Sequence, residues 1–113
     1  MARVVILALH SLFAEGVAVR LRQYLSADEI QLVDAGQPQA MNQVIAAQPA
    51  FVILDANDQG VERWCSLSTL LNTLTALTVL RLDAERDHMQ VVTSKQQAVG
   101  KVGDLVDVIG LTA

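Results

Sequence analysis

The sequence predicts a three-layer α/β domain built on a parallel sheet, as a single domain over residues 1–113. Three observations carry that reading. Short, wholly apolar runs occur at residues 4–9 and 51–54, as in strands buried on both faces. The stretches after each strand are long enough for a helix and carry apolar residues at helical spacing. The resulting β-α-β-α-β-α rhythm implies right-handed crossovers.

Each element has its own signal. The first strand, residues 4–9, reads Val-Val-Ile-Leu-Ala-Leu. Ser11 is placed to cap the next helix, where Phe13, Val17, Leu21 and Tyr24 recur at helical spacing. The polar turn 26–29 enters a second strand at 30–33. Pro38 suits the first turn of a second helix, and Met41, Val44 and Ile45 give that helix an apolar face. Pro49 closes the connection to the third strand, 51–54. A third helix fits residues 61–74, with Leu67, Leu70, Leu71 and Leu74 inward.

The rhythm then changes. Strands read at 77–83 and 89–95, with only residues 84–88 between them. A parallel pair needs a crossover of about a dozen residues, whereas so short a loop makes a hairpin. An antiparallel hairpin at the sheet edge is therefore predicted in place of a fourth helix. Gly100 and Gly103 mark a loose turn, and a last helix over 104–109 turns Leu105, Val108 and Ile109 inward before Gly110.

Composition excludes several classes. Hydrophobic residues make up 52% and aromatics only 4%, so the core is aliphatic. No run approaches the roughly 18 apolar residues of a membrane span, so the excess apolar surface points to a partner. Net charge is −4, and the eight Lys and Arg are scattered, which argues against nucleic-acid binding. One cysteine, Cys65, excludes an internal disulfide and a multi-thiolate metal site. The apolar run after Arg3 is too short for a secretory signal, so a cytoplasmic location is expected.

The segment Val4-Val5-Ile6-Leu7-Ala8-Leu9-His10-Ser11-Leu12-Phe13-Ala14-Glu15-Gly16 resembles the opening of a receiver domain of two-component response regulators. That family follows its first strand with two acids, then His, Pro, a hydrophobic pair, one residue and Glu-Gly. Phe51-Val52-Ile53-Leu54-Asp55 looks like the strand bearing the phosphoacceptor aspartate, and Gly60 falls where the following loop often has glycine. The resemblance covers residues 3–83 and weakens beyond, where the fourth helix is missing. It implies a flavodoxin-like fold with sheet order starting 2-1-3.

It also implies which chemistry is gone. A receiver holds one Mg²⁺ with its acidic pair, the aspartate and a backbone carbonyl, and the metal neutralises charge during phosphoryl transfer. Ala8 and Leu9 stand at the acidic pair and cannot ligate. Asp83 stands at the hydroxyl residue ending the fourth strand, adding repulsion where the family offers a donor. Lys95 lies near the family's lysine in sequence, but an antiparallel fifth strand would carry it to the end of the sheet opposite Asp55. Asp55 alone survives, and a carboxylate there more often accepts backbone N–H groups than phosphate.

The chain is therefore read as a pseudo-receiver that signals by protein–protein contact without conventional Mg²⁺-dependent phosphorylation. It is not read as an enzyme and needs no cofactor. Two rivals stand beside it. One is a working phosphoreceiver modified at Asp55 with Mg²⁺. The other is a small-molecule or metal sensor using a pocket near His10, Asp55 and Asp83. Asn57 and Asp58 border that pocket, and Asp55-x-Asn57-x-x-Gly60 imitates half a calcium loop, although Ser66 stands where its closing glutamate belongs. His10 reads as a helix-entry residue, His88 as an exposed turn residue, and Cys65, on the third helix beside Trp64, as an inert thiol. Nucleotide-loop, nucleophile-elbow and zinc-helix motifs are absent from the sequence.

Without a fourth helix, the hairpin is expected to leave apolar surface exposed at the sheet edge. Leu77, Val79, Leu80, Leu82, Met89 and Val91 are its candidate interface residues, for a homodimer or another protein partner.

Overall fold

The computed structural model describes residues 3–58, 60–74, 76–83, 85–93 and 96–100. Val4–Ala8 forms β1, Ser11–Leu21 α1, Ile30–Asp34 β2, Ala40–Ala47 α2 and Phe51–Asp55 β3. Leu67–Thr73 forms α3, Thr78–Asp83 β4, His88–Val92 β5 and Gln96–Gly100 β6. The sheet order is β2-β1-β3-β4-β5-β6. β1 pairs with β2 and β3, and β3 with β4, all parallel; β4–β5 and β5–β6 are antiparallel. Order 2-1-3 and the hairpin after the third crossover both match the sequence reading.

Strand alternation divides the core between two faces. Val4, Ile6 and Ala8, with Phe51 and Ile53, pack against Ala14, Ala18 and Leu21 of α1. Val5 and Leu7, with Val52 and Leu54, pack against Ala40, Val44 and Ala47 of α2 and Leu70 of α3. One helix on one face and two on the other give the three layers. Among the described residues no helix is long and apolar enough to cross a membrane.

Several details depart from the sequence reading. His10, not Ser11, occupies the cap of α1 in extended conformation, and its side chain makes no capping bond. Tyr24 falls beyond the helix and is 64% exposed, because the buried stripe runs through the small residues Ala14 and Ala18. Pro38 lies two residues ahead of α2. The third helix is much shorter than 61–74: Val61 and Cys65 are buried from an irregular segment before α3 starts. Glu62 accepts the Leu67 N–H at 3.3 Å, so its side chain serves the start of the helix from outside it.

The hairpin also differs. β5 ends at Val92, and β6 pairs along its outer side, with a register irregularity between Gln90 and Val92. Gly100 therefore belongs to a strand and not a turn. Leu80, Leu82, Met89 and Val91 enter the α1-face core, while Leu77 and Val79 enter the other. All six expected interface residues are buried, none more than 7% exposed. The pleat sends alternate side chains to the two faces, and β6 occupies the strand edge that was expected to be free. Arg81 alternates onto the α2–α3 face, opposite Gln90, and its Nε is buried without a hydrogen-bond partner among the described residues. Lys95, Gly103 and the helix read at 104–109 lie outside the described residues.

Candidate functional site

Parallel strands deliver their following loops to the carboxyl edge of the sheet, where open α/β folds place their sites. Here that edge carries Leu9 and His10 after β1, Asp34 to Gly36 after β2, Asp55 to Asp58 with Gly60 after β3, and Asp83 ending β4. Four carboxylates thus share one rim.

Each acid is engaged by the loop it starts. Asp34 Oδ1 accepts the Gly36 N–H at 2.8 Å, and Asp55 Oδ1 accepts the Asn57 N–H at 2.9 Å. Asp58 Oδ1 accepts the Gly60 N–H at 3.2 Å. These are Asx turns, in which a short carboxylate replaces a backbone acceptor two residues on. Asp83 does more. Its Oδ1 accepts from Asn57 Nδ2 at 3.1 Å and from the Arg86 N–H at 3.2 Å, while Arg86 Nε lies 3.7 Å from Oδ2. The Asn57 amide, ahead of the Arg86 N–H and guanidinium, holds the Asp83 carboxyl below the ordinary aspartate range.

Asn57 is consequently the tie between the loops after β3 and β4. Its backbone serves Asp55 and its side chain serves Asp83. The two acids are brought to neighbouring loops and share Asn57 as a mediator. Among the described residues, no group of three His, Cys, Asp or Glu side chains is placed to hold a metal ion. Asp55, Asp58 and Asp83 therefore do not assemble the rebuilt cation site that the calcium-loop imitation allowed.

Leu9 supplies the decisive geometry. A Cβ added to Gly60 would stand 2.9 Å from Leu9 Cδ1, and one added to Gly36 would stand 3.4 Å from Leu9 Cδ2. The two methyl groups thus rest against the glycines of both flanking loops, and the leucine packs onto the α2–α3 core. Ala8, one residue earlier, is 8% exposed and faces the opposite core. The half-buried leucine thus lies between the loops that follow β2 and β3.

The remaining candidates are placed apart. His10 is exposed and makes no side-chain hydrogen bond among the described residues. His88 is exposed as the first residue of β5, opposite Asp83 in register. Val92 pairs with Val79 near the start of β4, so β5 runs away from Asp55 towards the amino edge. Cys65 is fully buried, and burial, reinforced by the Glu62 carboxylate, pushes its thiol up to about 11. That thiol is inert at neutral pH.

Two features escaped the sequence reading. Asp34 was not singled out, although Asp34-Ala35-Gly36 and Asp58-Gln59-Gly60 repeat the Asp-x-Gly spacing of an Asx turn. The packing of Leu9 between Gly36 and Gly60 had no local signal, because the three residues meet only through the sheet order. No protein-family model, curated protein or solved structure matches the chain.

Proposed function

We propose that this chain is an atypical receiver-like module of the response-regulator type that signals by protein–protein contact. In this reading the sheet is flavodoxin-like, the location is cytoplasmic, and the domain catalyses no reaction. Conventional Mg²⁺-dependent phosphorylation of Asp55 plays no part.

One observation supports this most. Leu9, at the position of the second missing acid, presses its methyls against Gly36 and Gly60 beside Asp55. Mg²⁺ requires oxygen ligands, which an aliphatic side chain does not offer. Without the cation, a phosphoryl group on Asp55 would face Asp83 and Asp58 with its charge uncompensated. The hydrogen bond from Asn57 gives the Asp55 carboxylate an adequate structural role.

Incubation with a small-molecule phosphodonor and Mg²⁺, followed by intact-mass measurement, tests the proposal. The mass is expected to stay unchanged in the native protein and in Asp55→Ala alike. A phosphoryl adduct on the native chain that Asp55→Ala abolishes would establish the working-phosphoreceiver alternative instead.

A further inference from the structure

With the hairpin residues committed to the core, the opposite end of the sheet is the one left open. Among the described residues β2 pairs only with β1, and no strand lies along its outer side. The register fixes which backbone groups face outward. The Ala35 N–H bonds to Ala8 O at 3.0 Å, and Ala8 stands opposite Asp34, so the alternate residues Gln31, Val33 and Ala35 turn their backbone groups towards β1. Ile30, Leu32 and Asp34 turn theirs away. Leu32, at the centre, is also 46% exposed. Ile30–Asp34 has none of the devices that guard a strand edge: it contains no proline and no lysine, and its register with β1 is unbroken.

We propose that β2 pairs antiparallel with β2 of a second copy of the chain, about a two-fold axis through Leu32, joining the two sheets into one. The strand is complementary to itself in this register. Leu32 exchanges both backbone hydrogen bonds with its own mate, and Ile30 does so with Asp34 of the other copy. The two Leu32 side chains emerge on the same face and cover each other. Neighbouring registers are worse. An axis through Gln31 sets Asp28 opposite Asp34, and an axis through Val33 leaves Ile30 beyond the end of the other strand.

Charge permits the pairing. Asp34 is the one charged residue of the strand, is held by the Gly36 N–H, and lies opposite Ile30 of the other copy. The end of the sheet it approaches carries Asp28 and Glu29, in the 3-10 turn before β2, and Arg20 and Arg22, exposed where α1 returns to that end. Two acids and two bases leave no net charge against the incoming carboxylate. Arg3, also at that end, is bonded to Ala47 O, and α2, which covers the other face of β2, has no charged residue. Five rungs span about 17 Å, short of a standard interface, so the dimer is weak, with a dissociation constant on the order of 100 µM. This inference goes beyond the proposed function and does not depend on the state of Asp55.

Sedimentation equilibrium of the full chain, to about ten times that concentration, is expected to show monomer and dimer in exchange. Leu32→Lys sets two like charges directly opposite at the axis and is expected to weaken association about tenfold. Its thermal midpoint in dilute solution should stay within about 3 °C of the native value, because Leu32 packs little in the monomer. Gln31→Lys adds the same charge one residue away but falls opposite Val33, so association should stay within about twofold of native. Under mild oxidation Leu32→Cys should form a covalent dimer, since its paired Cα atoms stand about 5.5 Å apart; Gln31→Cys meets its mate two rungs away and should not. Cys65 is fully buried and does not compete. A native chain that stays monomeric throughout would overturn the proposal. So would an equal response to lysine at positions 31 and 32, or cross-linking at 31 as fast as at 32.

Discussion

If Leu9 fills the space beside Asp55, its energetics must be coupled to the glycine it touches. Leu9→Ala removes a half-buried side chain and is expected to cost about 1–2 kcal/mol, the low end of the leucine-to-alanine range. Gly60→Ala places a methyl 2.9 Å from Leu9 Cδ1, closer than real contacts allow. The leucine terminus can yield, so this overpacking costs about 1 kcal/mol. Gly60 does not use a positive φ, so alanine meets no backbone strain there. Alanine also restricts the unfolded chain, which stabilises by about 0.4–1 kcal/mol. In the native background the two effects nearly cancel. In the Leu9→Ala background only the second remains, and Gly60→Ala becomes stabilising. The cycle should return a coupling of about 1 kcal/mol, measured by urea unfolding of the four proteins at unchanged m. Gly36→Ala is an internal control: its new Cβ meets Asp34 Oδ1 at 3.2 Å and Leu9 only at 3.4 Å, so its coupling to Leu9 should be smaller. Additivity of Leu9→Ala and Gly60→Ala within about 0.3 kcal/mol would show that the leucine does not occupy the edge, and the argument against a cation there would fail.

Two further outcomes follow from burial. Leu80→Ala should cost about 3–4 kcal/mol and lower the thermal midpoint by roughly 15 °C, because Leu80 is fully buried; a loss under about 0.5 kcal/mol would return the hairpin to the surface. Cys65 has its thiol raised in the folded state, so its contribution is intact below the unfolded thiol value near 9 and is lost as pH rises towards about 11. Unfolding free energy should fall across that window by on the order of 1–2 kcal/mol, and Cys65→Ala should remove this pH dependence whatever its own baseline stability.

The first five strands were legible because each carries its signal in a short consecutive run, whereas β6 was read as a turn. Phe51 to Leu54 are apolar at every position, and the structure buries all four. The hairpin was legible for a different reason: loop length alone excludes a parallel crossover between β4 and β5. Helix limits were read less well. Val61 and Cys65 have the apolar character of a helix face, and both are buried, but from irregular backbone whose first helical residue is Leu67. Burial and helicity are separate requirements, and an apolar spacing reports only the first.

At the site, the aliphatic side chains at positions 8 and 9 and the carboxylate at position 55 stand in the primary sequence, because they concern residue identity. So do the Asx turns, since a carboxylate and the N–H two residues on need only local backbone to meet. The exposure of the hairpin was misjudged because β6 lies beyond it in sequence and no pattern in 77–92 reports what pairs with its outer side. The contact of Leu9 with Gly36 and Gly60, and the reach of Asn57 to Asp83 across 26 positions, belong to the tertiary structure alone. They arise because parallel crossovers bring the carboxyl ends of β1, β2, β3 and β4 to one rim, and contacts between loops distant in the chain are fixed only once the sheet order exists.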